Sequence, residues 1–187
     1  MRLTASNFGA ICHRTVRRNC DKLCSTLLSP PTLRNAAVVH GKMHEMDAVK
    51  GFSSVTGLKV QKCGLFVSSD YPFLAATPDG LVNDSHVLEV KCPFGVRNQK
   101  IEPGPAFPFL ESQNDDVCVK KQHRYYDQIQ GQMALAKRKR AYFVVFTFVD
   151  IKVIEEHYDE EFWKESMVPK LTSFYNNHFR KYVASHL

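Results

Sequence analysis

Hydrophobic and polar positions follow two periods along this chain, and the switches between them mark out its elements. Residues 4 to 28 mix apolar and basic positions at helical spacing and stop at Ser29-Pro30-Pro31, where two prolines oppose continuation, so one helix or a helix pair is expected. From Leu33 to about Val55, the positions Ala37, Val38, Gly41, His44, Ala48, Phe52 and Val55 recur in steps of three and four. That is a second amphipathic helix, with Gly57 as its stop. The period then falls to two: LKVQKCGLFVSS and YPFLAATPDGLV read as short strands, the second closing on a Pro78-Asp79-Gly80 turn. VLEVKCPF reads as a third strand, and together they predict a meander.

Residues 95 to 122 are rich in Pro, Gly, Asn and Asp and predict a long loop holding at most a short turn of helix. HRYYDQIQGQMALAKRKR returns to helical spacing through Tyr125, Ile129, Met133 and Ala136, and its basic run Lys137 to Arg140 suits a helix C-terminus. AYFVVFTFVD and IKVIEEHYD are β-branched and aromatic, a strand pair or one bent strand. A final helix with a kink at Pro169 is expected over residues 161 to 187.

Composition narrows this picture in three ways. With 187 residues, 44% of them hydrophobic, the chain can bury one sizeable core and is short for two domains. Lys and Arg number 25 against 19 Asp and Glu, and the net charge of +6 permits a polyanionic partner such as nucleic acid without requiring one. No run approaches the ~18 to 20 apolar residues of a membrane span, and MRLTASNFGAICHR lacks the apolar core of a secretory signal, so an intracellular protein is expected. The six cysteines show no CxxC pairing; reduced thiols are expected, and only Cys12, Cys20 and Cys24 are close enough in sequence to suggest a metal.

The chemistry concentrates in residues 77 to 95. In a strand, Val87, Glu89 and Lys91 share one face while Leu88, Val90 and Cys92 share the other, which is the core side. Folding the segment Gly80 to Ser85 back brings the carboxylate of Asp79 toward the Glu89 strand. Two converging carboxylates repel, and a divalent cation is the usual compensation, with all-oxygen ligation favouring Mg²⁺ or Mn²⁺. A lysine beside them is placed to orient or deprotonate a water, or to stabilise charge on a phosphoryl group. Asp79, Glu89 and Lys91 in a basic protein therefore suggest metal-assisted hydrolysis of a phosphodiester. Pro78, Asp79, Glu89, Val90 and Lys91 together spell the PD-(D/E)xK nuclease signature.

The flanking residues make the match specific. LAATPDGLV followed by LEVKCPFG resembles the YqaJ-type viral recombinase, or bacteriophage lambda exonuclease, family. RLTASNFGAI is similar to that family's Thr-Ala-Ser helix start, HGKMHEMDAVKGFSSVTG to its Gly-x-x-x-Glu-x-x-Ala helix, and YYDQIQGQMAL to its helix bearing Gln-(Val/Ile)-Gln ahead of a Met. The resemblance implies an α/β (α+β) fold with a restriction-endonuclease-like core, a central mixed β-sheet flanked by helices, as a single nuclease domain over residues 1 to 187. It implies a recombination- or repair-type 5′ to 3′ exonuclease on double-stranded DNA using two divalent ions, Mg²⁺ or Mn²⁺, with acid switching it off.

By the same resemblance Asp79 and Glu89 are metal-binding carboxylates, the Val90 carbonyl is an extra ligand, and Glu45 completes the ion site from its helix. Lys91 is the catalytic lysine and Gln128 the glutamine beside it, on the Tyr125 face. Gln130 is the alternative, about 200° round the helix from Gln128. Ser6, in Thr4-Ala5-Ser6, matches a contact to the terminal phosphate, or else caps a helix. The family's basic residue upstream of Thr-Ala-Ser has no counterpart here: Arg2, Arg14, Arg17 or Arg18 takes its place, or the natural protein is longer. Phe107, Phe109 and Lys120-Lys121 are expected to touch DNA or cover the site. A single-strand annealing protein is the implied partner, and a homo-oligomer is left open. The alternatives are a structure-selective or single-strand DNA endonuclease of the same fold and a non-catalytic DNA-binding module; the filled catalytic positions argue against the latter.

Overall fold

The computed structural model of the protein describes residues 1–15, 19–29, 35–114 and 116–186. Arg17, Arg18 and the expected helix start at Leu33 lie outside the described residues. The chain opens on a short strand, β1 (Leu3–Thr4), which the sequence pattern missed because two residues carry no period. A 3₁₀ turn over Ala5–Asn7 leads into α1 (Phe8–Cys12), and α2 (Asp21–Leu28) follows, so the expected helix over residues 4 to 28 is a pair. The long helix α3 (Ala36–Thr56) is capped at both ends by its own sequence. The Asn35 side chain accepts the Val38 N–H at 2.9 Å, and Gly57 adopts φ 72° so that its N–H reaches Ser53 O.

Residues 58 to 94 do not form one meander. They break into β2 (Val60–Gln61), β3 (Phe66–Val67), β4 (Leu74–Ala76), β5 (Gly80–Val82) and β6 (His86–Lys91), which divide between two sheets. A three-stranded sheet has the order β1-β4-β3, and the larger sheet contains β6-β5-β2. The chain leaves the small sheet at Ala76 and joins the large one at Gly80. Pro78 sits in that crossing, where no ladder requires the N–H it lacks. The segment read as a loop holds a 3₁₀ turn over Phe94–Val96 and the hairpin β7 (Leu110–Gln113) and β8 (Asp116–Val119).

After the hairpin come α4 (Arg124–Ala136), β9 (Arg140–Phe146) and β10 (Ile151–His157). The last two are the antiparallel pair that their composition suggests, and the full order of the large sheet is β10-β9-β6-β5-β2. Strands β6 and β9 run parallel, from His86 opposite Arg140 to Lys91 opposite Val145, with α4 in the connection between them. On the α4 side Ile129 and Met133 pack with Val87, Phe143 and Val145; on the α3 side Ala48 and Phe52 pack with Leu88, Val90 and Val144. Strand β6 is thus covered on both faces, as parallel strands usually are. Glu89, on the α4 side, is only 4% exposed, where its alternation with apolar residues had suggested an open face.

The third core joins α1, α2 and β4 to the C-terminal helical run through Phe8, Leu74, Leu171, Phe174 and Phe179. That run contains α5 (Val168–Phe174) and α6 (Arg180–His186), each preceded by a π-helical turn, Phe162–Met167 and Tyr175–Phe179. The expected disturbance at Pro169 takes the form of the widened turn before it, which accommodates a residue without a donor.

Helices α1 and α4 approach closely through two glycines. A Cβ on Gly9 would lie 2.6 Å from the Arg124 Cα, and one on Gly131 would lie 2.5 Å from Phe8 Cδ2. Gly9→Ala must push on α4 backbone, so it is expected to lower stability by about 1–3 kcal/mol, measured by urea denaturation. An unchanged midpoint would show that the helices separate without cost.

Candidate active site

A cleft of about 460 Å³ opens between the N-terminal half of α3 and the end of β6, with Phe109 and Tyr125 on its wall. Asp79, Glu89, Val90 and Lys91 all line it. Asp79 is fixed because the turn before β5 docks on β6: its N–H donates to Leu88 O at 2.9 Å, and its Oδ2 accepts the Val90 N–H at 2.6 Å. A strand residue presents its N–H and C=O to the same side, so the Val90 carbonyl faces the Asp79 side too, where β5 has not yet begun.

Glu89 is held by three donors. Lys91 Nζ at 2.5 Å and Gln128 Nε2 at 2.6 Å share its Oε1, and Gln132 Nε2 reaches its Oε2 at 2.5 Å. Lys91 Nζ also donates to Gln128 Oε1 at 3.2 Å and lies 4.7 Å from the Tyr125 ring centre, a cation–π distance.

These contacts set the charge. Burial and then the neighbouring charge of Glu89 push the Asp79 carboxyl up to about 7; the Val90 N–H opposes this, Glu45 adds to it, and Lys91 relieves part of it. Burial by itself would lower Lys91, but the charge of Glu89 and its hydrogen bond outweigh that, and the ammonium is held above its ordinary value. Cys92, also on the cleft, is pushed up to about 11 by burial and by Asp79, so it stays a thiol at neutral pH. Two carboxylates and a backbone carbonyl facing one space, with the repulsion between the carboxylates only partly relieved by one ammonium, fit a hard divalent cation. Among the described residues, however, no three His, Cys, Asp or Glu side chains converge to hold an ion by themselves. Glu45, expected to complete the ion site from its helix, lines the same cleft from the exposed side of α3, at its rim.

Gln128 meets Lys91 and Glu89 as its helix phase predicts, whereas Gln130 points elsewhere: it donates to His157 O at 2.9 Å and accepts the Asp159 N–H at 2.8 Å. Gln132 was missed. Its signal was the four-residue step from Gln128, which repeats the same helix face. Phe109 walls the cleft as expected, but Phe107 is core, and Lys121 pairs with Asp159 at 3.1 Å.

Among the described residues expected at the DNA end, Arg2, Ser6 and Arg14 do not line this cleft. Arg2 Nε donates to Pro72 O at 3.1 Å, and Ser6 lies in the exposed 3₁₀ turn with its hydroxyl 3.3 Å from that of Thr4, so it caps no helix. Arg14 lines a second cleft of about 590 Å³ together with His13, Lys22 and Arg124. The His13 Nε2 is 2.7 Å from the buried Asp127 carboxylate. Part of the basic run at the end of α4 is neutralised, with Arg140 3.1 Å from Glu155.

The sequence profile of the YqaJ-like viral recombinase domain matches residues 1–139. The chain belongs to this family. It is 26% identical over 161 residues to an uncharacterized protein of Acanthamoeba polyphaga mimivirus, an alignment covering 78% of this YqaJ-like chain and 26% of the relative. The chain therefore spans about a quarter of the length of the curated relative it matches.

The fold is shared with solved exonucleases. An alkaline exonuclease from Laribacter hongkongensis superposes with TM-score 0.73 at 22% identity, covering 99% of this chain and 91% of that one. A second structure of that enzyme, in complex with dAMP, gives TM-score 0.72 at 22% identity over 98% and 90% of the two chains. A phage-related exonuclease from Haemophilus somnus gives 0.64 at 14% identity over 100% and 97%. The expectation of a central mixed sheet flanked by helices therefore holds. No helix among the described residues is long and apolar enough to cross a membrane.

Proposed function

We propose that the protein is a Mg²⁺- or Mn²⁺-dependent deoxyribonuclease that removes nucleotides from the 5′ end of double-stranded DNA. The observation that carries this reading is the meeting of Asp79, Glu89 and Lys91 in one cleft, with the Lys91 ammonium held by Glu89 and Gln128. Two divalent cations bound there would supply positive charge at the scissile phosphate and lower the pKa of a water. Asp79, Glu89 and the Val90 carbonyl supply their oxygen ligands, and Glu45 adds negative charge at the rim. Lys91 orients the attacking water and neutralises charge growing on the phosphate; in the cation-free site the carboxylate beside it favours the ammonium form. The water oxygen bonds to phosphorus as the bond to the leaving oxygen breaks.

The exonuclease mode is supported by the names of the two neighbours, alkaline and phage-related exonucleases. The 5′ polarity comes from the motif resemblance. The assay is release of mononucleotides from a 5′-labelled linear duplex with Mg²⁺, run beside a covalently closed circle. Early release of the label with the circle intact is expected; digestion of the circle would favour the endonuclease reading. Arg2 and Ser6 are proposed to receive the 5′ phosphate, so Ser6→Ala should reduce the preference for a phosphorylated over a hydroxyl end. A 5′-acting enzyme leaves a single 3′ strand, which makes an annealing protein the proposed partner.

The second cleft is proposed to carry the DNA backbone past the site. Among the described residues Arg14, Lys22 and Arg124 form no ion pair with a carboxylate. The double change Arg14→Glu, Arg124→Glu is expected to weaken duplex binding uniformly across sequences and to flatten its dependence on salt by about one unit of log–log slope per lost phosphate contact, read by filter binding at several salt concentrations. A wild-type slope would place the DNA elsewhere.

A further inference from the structure

Three buried glutamines stand on α4, and two of them have clear duties. Gln128 joins Lys91 to Glu89, and Gln130 closes the chain after β10 through both ends of its amide. Gln132 is different. It is 1% exposed and does not line the cleft, and among the described residues its amide has Glu89 Oε2 as its one partner and nothing donates to its own Oε1. An unmatched amide oxygen is a cost in such a place, one that an apolar side chain of similar size would not carry. The opposite flip of the amide would set Oε1 against a carboxylate oxygen, so the Nε2 donation is the only favourable orientation.

We propose that Gln132 is a positioning residue for the cation-holding carboxylate, pinning the Glu89 oxygen that Lys91 does not hold. Lys91 and Gln128 both pull on Oε1, and they alone would leave the carboxylate free to turn about its Cγ–Cδ bond. Gln132 fixes Oε2, so each oxygen has an amide donor and the plane of the carboxylate is set before any ion arrives. The two amides stand one helical turn apart on α4, which makes the pin as rigid as the helix. Outer partners of this kind usually govern metal affinity by 10–100-fold. The inference rests on the reading of Asp79 and Glu89 as cation ligands.

The test is Mn²⁺ binding without DNA, followed by isothermal titration on the wild-type protein, Gln132→Met, Gln132→Asn and Gln130→Met, with thermal unfolding in EDTA alongside. Gln132→Met removes the donor at nearly constant size, and Gln132→Asn keeps an amide that is one methylene too short to reach. Both are expected to bind Mn²⁺ about 10–100-fold more weakly. Gln130→Met is expected to melt earlier yet bind Mn²⁺ as the wild type does, because its partners belong to the backbone after β10. Wild-type affinity in both Gln132 variants, or an equal loss in Gln130→Met, would overturn the inference and leave the site reading standing. Failure of the wild-type protein itself to bind Mn²⁺ would overturn the site reading and the inference with it.

Discussion

Lys91→Ala is expected to lower nucleotide release from a duplex by ~10²- to 10⁴-fold while the protein binds Mn²⁺ at least as tightly as before. The two halves of that result come from different physics. A positioned donor at the reacting phosphate is typically worth a rate factor of this size. The ammonium also competes with a bound cation for Glu89, to which it lies at 2.5 Å, so its removal takes away repulsion toward the ion. Folding should survive, because Gln128 and Gln132 still donate to both oxygens of Glu89. Single-turnover kinetics beside Mn²⁺ titration read the two effects separately. Equal rates for variant and wild type would remove Lys91 from the chemistry; a large loss of Mn²⁺ affinity would make it a support for the ion and not for the attack.

How much of this was legible in the residues follows from the range over which each feature acts. Asp79, Glu89 and Lys91 lie within thirteen positions of one another, and strand alternation plus one turn is enough to bring them together. Gln128 needed only helix phase. The pattern around Glu89 misled on burial, because a residue flanked by Val87 and Lys91 looks half-exposed until a parallel partner and its crossover helix cover the strand. Strands of two or three residues, such as β2 to β5, are too short to display a period. The region from 95 to 122 looked like a loop since Pro103, Pro105 and Pro108 interrupt the apolar Ile101, Phe107, Phe109 and Leu110, which nonetheless enter the core under α4. Where Arg2, Ser6 and Arg14 would end up depended on contacts spanning the chain, such as β1 beside β4, and no local pattern encodes those.

Asp79→Asn is expected to abolish activity and yet to stabilise the cation-free protein at pH 8. In the folded wild type, burial and Glu89 place the Asp79 carboxyl at about 7, above the roughly 3.9 of an unfolded chain. A carboxyl raised on folding binds its proton more readily in the folded state, so the folded state is penalised above pH 7 and regains stability as the pH falls from 7 toward 4. The amide carries no charge and can still accept the Val90 N–H through its Oδ1, so it removes the penalty and keeps the hydrogen bond that docks the turn on β6. The gain at pH 8 should be on the order of a few kcal/mol at most and should shrink by pH 6, where the wild type is already protonated. A cation reverses the comparison: Mn²⁺ should raise the wild-type melting temperature more at pH 8 than at pH 6, because protons compete for the ligand, and should barely move the variant. Activity should fall by more than the ~10–100-fold that outer partners of a metal cost, because Asp79 is itself a proposed ligand. Calorimetry in EDTA and in Mn²⁺ at the two pH values measures every term. A variant that melts earlier than wild type at pH 8 in EDTA would mean that Asp79 stabilises the fold by its charge, and the site would then not be one that waits for a cation.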